Sequence, residues 1–337
     1  MGSAADPVAR LEEVIRPVAR TFAELGAQIA DGTFTDQWKS NGTWATGVLA
    51  DALREDWLGR FQDRSGPYLK FVLAPHRLQQ LANTVDLAVR LRQLTGSPGL
   101  TDVLQQMRTQ LEPGVMGHAS LQLEVASLEQ RRSGTVAMEA DRGPGQWKPD
   151  VLLFHAGTAI GVECLRLSVA DDVASHLGTP GGPERAVDGW RRIGAKIIVK
   201  AGQPAQAGGW LRCELDDGMF ADMPWFRSAL SAMSLADKAA TLAEGARQSM
   251  QTTGSIHGIV LSSPPASGMT GQDEMYRLPN GGIALRRALS GERSRETFII
   301  PSDYAADTEW EMWTELYDHE PTWLDWALPE ARAQKAE

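Results

Sequence analysis

Three carboxylates stand among apolar neighbours in the middle of this chain: Glu124, Asp150 and Glu163. Glu124 falls three residues after Leu121, inside the stripe Leu121, Val125 and Leu128 that a helix would bury on one face. Asp150 opens the run Asp150-Val151-Leu152-Leu153-Phe154, whose alternation places Asp150, Leu152 and Phe154 on one side of a strand. In Ile160-Gly161-Val162-Glu163-Cys164-Leu165-Arg166, Glu163 shares a strand face with Leu165, while Val162, Cys164 and Arg166 take the other. A buried unpaired charge is costly, so each acid calls for a cation, a metal or hydrogen-bond donors. Glu124 has a second reading, at the rim of its stripe and reaching solvent. Two carboxylates on adjacent strands, with a third on a neighbouring helix, form the hard, oxygen-rich site that Mg²⁺ or Mn²⁺ prefers. Such an ion offsets their mutual repulsion, polarises a phosphate oxygen and lowers the pKa of a coordinated water for attack on phosphorus.

The elements around these acids follow from periodicity and breakers. Apolar residues recur every three or four positions from Pro7 to about Ala30, and helical patterns follow at 47–61, 76–94 and 100–111. The segment 1–114 therefore reads as an all-helical N-terminal region. At Glu112-Pro113-Gly114 the chain turns, and a helix at 118–130 leads into short strand-like runs at 135–140, 150–154 and 159–167. Ala156-Gly157-Thr158 supplies the hairpin between the last two. A helix at 184–200 and a strand at 208–214 complete a core at 115–215. Helix, three strands, helix, strand predicts an α/β (α+β) fold with a central mixed sheet flanked by helices. The remaining segment, 216–337, is expected to extend this core, with a helix at 236–251, a strand at 256–262, edge strands at 282–285 and 297–300, and a Trp-rich tail. In that tail the pairs Trp310/Trp313 and Trp323/Trp326 are each three apart, so one helical face packing onto the body is the simplest reading.

This order of elements, with its acids, resembles the PD-(D/E)XK nucleases, a restriction-endonuclease-like superfamily. The resemblance spans about a hundred residues. It matches Pro149-Asp150 to the PD motif, Glu163 to the first acid of the (D/E)XK element and Glu124 to an assisting acid on the first helix. It implies Mg²⁺ or Mn²⁺ on Asp150 and Glu163, and hydrolysis of phosphodiester bonds in nucleic acid. Where the family usually keeps Lys, this chain has Leu165, with Arg166 on the opposite strand face. Lys196, Lys200 and Gln203 recur at i, i+4 and i+7 on or just beyond the following helix, so Lys196 or Lys200 is expected to stand in. Lys148, two residues before Asp150, is a further candidate. The alternative is a catalytically inactive nuclease-like scaffold that serves as a binding or regulatory component.

Composition narrows the setting. The 337 residues, 42% apolar and 23% charged, are of ordinary globular make-up. The chain carries no apolar run long enough to span a bilayer and no secretory leader, so a soluble, cytoplasmic protein without membrane contact is expected. A net charge of −10 excludes coating of nucleic acid by a general basic field, so phosphate contacts would be local. Cys164 and Cys213 have no metal-ligand spacing and are expected to sit reduced inside strands. The six histidines are dispersed without HExxH, and Gly178–Gly182 has neither a P-loop nor a dinucleotide fingerprint. A homodimer or a protein partner is left open, and a helical interaction module that rests on the N-terminal helices and the Trp-rich tail is a third reading.

Overall fold

The computed structural model of the protein describes residues 19–32, 34–65, 77–132, 134–139, 147–155, 157–167, 200–202, 204, 208–215, 236, 240, 243–244, 246–247, 250–251, 255–262, 266–267, 274–278, 281–289 and 293–318. Among the described residues six helices come first: α1 (Phe22–Ala30), α2 (Asp36–Leu53), α3 (Trp57–Ser65), α4 (Arg77–Gln93), α5 (Leu100–Thr109) and α6 (Pro113–Arg131). Thr21 and Thr35 cap α1 and α2, their hydroxyls accepting from the backbone N–H groups of Glu24 and Trp38. The sequence predicts one helix over 47–61, but the chain breaks there. Arg54 adopts φ 81°, which ends α2, and α3 starts afresh at Trp57. The earlier start of α2 is hidden from periodicity because Gly42 serves as a close-packing point. A Cβ there would lie 2.5 Å from Leu81 and 2.7 Å from Ile29.

Nine strands follow among the described residues: β1 (Thr135–Met138), β2 (Val151–His155), β3 (Thr158–Leu167), β4 (Trp210–Leu215), β5 (Gly258–Ser262), β6 (Ala266–Ser267), β7 (Glu274–Arg277), β8 (Ile283–Leu289) and β9 (Arg293–Pro301). A last helix, α7 (Asp307–Asp318), closes the described chain. They build one mixed sheet in the order β1-β2-β3-β4-β5-β9-β8-β7, with β6 paired to β9. β1, β2 and β3 form an antiparallel meander, β3 to β5 run parallel, and β9 and β8 return antiparallel. The fold is thus α/β, with a mixed sheet flanked by helices. The segments at 282–285 and 297–300 are not edge strands. β9 lies between β5 and β8, and its polar first half, Arg293 to Glu296, disguises a nine-residue strand as a four-residue apolar run.

Register divides the sheet into two covered faces. Val162, Cys164, Trp210, Val260 and Ile299 pack against the helices in the larger core, which also takes in α7. Leu211, Cys213, Ile259 and Ile300 face a second core completed by Ala201, Ala243, Ala246 and Met250. The described residues of 236–251 are helical. The helices of 22–109 share the larger core with the sheet. Both cysteines are free and buried in β3 and β4, and burial raises both thiols, Cys213 to about 12. Trp313 is fully buried against Trp210 and Tyr317, while Trp310 on the same helix is only partly buried; Trp323 and Trp326 lie outside the described residues. Among the described residues, no helix is long and apolar enough to cross a membrane.

Candidate functional site

Asp150 immediately precedes β2, and continuing the β2–β3 register sets it opposite Glu163 on the face of the second core. Its Oδ2 accepts a 2.7 Å hydrogen bond from the backbone N–H of Cys164, and its Oδ1 lies 3.4 Å from His118 Nε2. The side chain is thereby fixed between a strand and α6. Glu163 is held at both oxygens. Oε1 accepts from Lys200 Nζ at 2.8 Å, and Oε2 accepts from Trp147 Nε1 at 3.1 Å.

The Trp147 ring is seated by two glycines. A Cβ at Gly161 or Gly209 would come within 2.5 or 2.6 Å of it, so only bare backbone on β3 and just before β4 admits the indole at this height above the sheet. Glu139, at the end of β1, adopts φ 50° and donates its backbone N–H to the Asp150 carbonyl. Its carboxylate accepts from Gln122 Nε2 at 2.7 Å and pairs with Lys148 Nζ at 3.2 Å.

Burial and neighbouring charges act on three of these side chains, Glu163, Lys200 and His118. Burial pushes the Glu163 carboxyl up, the Asp150 charge pushes it further, and the Lys200 and Trp147 donors only partly oppose this. Burial would lower Lys200, but its bond to Glu163 and the charges of Glu163 and Asp150 outweigh that and keep the ammonium firmly protonated. His118 likewise loses basicity to burial and regains more from Asp150, ending above its ordinary value.

The donor set suits a divalent cation. His118, Glu139 and Asp150 each offer one ligand atom, all within 4.8 Å of one another. Octahedral ligands at about 2.1 Å stand about 3 Å apart when adjacent, so small side-chain movements would close the set around an ion. An imidazole with carboxylates fits Mn²⁺ and also tolerates Mg²⁺.

The structure brings together Asp150, Glu163 and Lys200 of the residues singled out from sequence. Lys196 and Gln203 lie outside the described residues. Lys148 pairs with Glu139, and Arg166 with Glu214 at 3.5 Å. Glu124 does not join the cluster, which corrects its expected role. It faces the larger core, on the other side of the sheet from Glu163, inside a cage of guanidiniums. Arg212 lies at 2.9 Å, Arg295 at 3.0 Å and Arg90 at 3.5 Å, with Tyr317 Oη at 3.3 Å. Burial alone would raise this carboxyl, but the three arginines hold it well below the usual range. Glu124 is a structural anion that ties α6 to α4, β4, β9 and α7.

Sequence reasoning missed His118, Glu139, Trp147 and Gln122. Signals for them existed: His118 and Gln122 are four apart on one helix, and Trp147 directly precedes Lys148-Pro149-Asp150. No family model matches the chain, and neither does any curated protein or solved structure.

Proposed function

We propose that this chain is a metal-dependent hydrolase of phosphodiester bonds in nucleic acid, built on a restriction-endonuclease-like core of the PD-(D/E)XK type. The observation that carries the reading is the 2.8 Å contact between Lys200 Nζ and Glu163 Oε1, beside Asp150. Leu165 leaves the third strand without the family's cation, and Lys200, from helical residues after that strand, delivers an ammonium to the same acid. The order α6, β1, β2, β3, β4, with an antiparallel meander followed by a parallel step, supports the core assignment.

In this reading Mg²⁺ or Mn²⁺ supplies Lewis acidity toward a phosphate oxygen and a more acidic water. Asp150, oriented by the Cys164 N–H, is a ligand for that ion. Lys200 stays protonated and opposes the negative charge that develops on phosphorus oxygens. Trp147 holds Glu163 in the orientation that presents it to Lys200. With a net charge of −10, nucleic acid would be held by local contacts at the site.

One observation favours a second reading, an inactive scaffold that binds without cleaving: both oxygens of Glu163 already carry donors. Incubating purified protein with labelled DNA and RNA, in Mg²⁺, Mn²⁺ or chelator, separates the two. Metal-dependent cleavage lost in Asp150→Ala supports the hydrolase. Cleavage that is absent, or that survives Asp150→Ala combined with Glu163→Ala, rejects it.

A further inference from the structure

We infer that the cation is held by His118, Glu139 and Asp150, and that Glu163 is not one of its ligands but a positioning residue for Lys200. The inference rests on the metal-dependent reading above and changes which acid binds the ion. Three observations lead to it. The ligand atoms of His118, Glu139 and Asp150 converge within 4.8 Å, from α6, the end of β1 and the start of β2. Glu163 is outside that group, and its two oxygens are taken by Lys200 and Trp147.

The third observation is Gln122, which is fully buried with its amide at the cluster. Its Nε2 fixes Glu139 Oε1 at 2.7 Å, and its Oε1 has no hydrogen-bond partner among the described residues. A buried amide left with an unbonded oxygen carries a free-energy cost, and the one bond this amide makes fixes the orientation of Glu139. The other Glu139 oxygen meets Lys148, whose side chain is half exposed and free to swing toward solvent when a cation replaces its charge.

The chemistry of the three donors makes a prediction about the ion. One imidazole nitrogen with two carboxylates favours Mn²⁺ over Mg²⁺, since Mg²⁺ prefers oxygen ligands and retains its waters. The site is therefore expected to bind Mn²⁺ more tightly than Mg²⁺, with nitrogen in the first coordination sphere.

The test is a Mn²⁺ titration of the full chain by electron paramagnetic resonance, with electron spin echo detection of nitrogen coupled to the bound ion. Circular dichroism would verify that each variant is folded. Wild type is expected to show nitrogen coupling that disappears in His118→Ala. Glu139→Gln is expected to weaken Mn²⁺ by about tenfold or more, while Glu163→Gln leaves the affinity little changed. Loss of affinity in Glu163→Gln equal to or greater than that in Glu139→Gln overturns the inference and leaves the hydrolase reading standing. Mn²⁺-loaded wild type without nitrogen coupling overturns it without reliance on any variant. Wild type that binds no Mn²⁺ overturns both readings. Binding as expected in a protein that cleaves neither DNA nor RNA supports the inference and rejects only the hydrolase.

Discussion

Glu124→Gln should make the protein easier to unfold while leaving the cluster at Asp150 intact. The carboxylate is 2% exposed and meets guanidinium groups at 2.9, 3.0 and 3.5 Å. Removing one member of a buried ion pair costs about 3–5 kcal/mol, because the partner charge is left uncompensated. The cage is partly redundant. Arg90 retains Asp86 at 2.7 Å, and Arg212 retains Tyr317 Oη, Ser262 Oγ and the Cys213 carbonyl. The loss should therefore lie at the low end, about 3 kcal/mol, which lowers a urea midpoint by about 1 M at a slope of about 3 kcal/mol per M.

Urea titration followed by circular dichroism and by Trp fluorescence measures this shift, and Trp210 and Trp313 report from beside the cage. The wild-type advantage should also depend on acid. The folded state holds Glu124 well below its unfolded value, so the unfolded chain binds the extra proton and stability rises with pH through that interval. The contribution is complete above about pH 4.3, and the gap between wild type and Glu124→Gln should narrow as pH falls below it. A midpoint within about 0.2 M of wild type at neutral pH, combined with lost catalysis, would refute the structural assignment and return Glu124 to the site.

Trp147→Phe keeps the packing over Gly161 and Gly209 but removes the donor to Glu163. Cleavage should fall by about tenfold or more with the fold retained, as read by rate and melting temperature together. Gly209→Ala places a Cβ 2.6 Å from the Trp147 ring and 2.8 Å from the Gly161 carbonyl, so urea titration should show a loss of about 1–3 kcal/mol. Gly99→Ala is expected to be worse. Gly99 has φ 82° and a Cβ would lie 1.8 Å from the Met138 carbonyl oxygen, so expression of soluble protein should drop and the melting point should fall more than in Gly209→Ala.

Much of the fold was legible because the residues at 135–167 and 208–214 carry short-range signals. Alternation fixed the faces of β2 and β3, and Gly157 marks the short connection that pairs His155 with Thr158. The face shared by Glu163 and Leu165 led to the right side of the sheet, where Lys200 is found. Glu124 stands out in the sequence as an acid inside a buried stripe, but its partners do not. Every residue from Leu121 to Glu129 is buried, so periodicity cannot say which neighbour this stretch of α6 turns the acid toward. Gln122, Ser127 and Glu129 are as hidden as Glu124. The arginines that explain it come from α4, β4 and β9, and contacts across such sequence separation leave no periodic trace. Glu139 was invisible for a similar reason, since its meaning depends on β1 ending beside Asp150.

Lys200 as the cation of a hydrolytic site is the central claim to test. Single-turnover cleavage of labelled DNA and RNA should be compared for wild type and Lys200→Met in saturating Mn²⁺, with Mn²⁺ binding measured on the same samples. Loss of one charge-stabilising donor costs about 100-fold or more in rate, so the variant should bind Mn²⁺ and cleave at least that much more slowly. Metal-dependent cleavage by Lys200→Met at the wild-type rate, or none by wild type on either substrate, would contradict it.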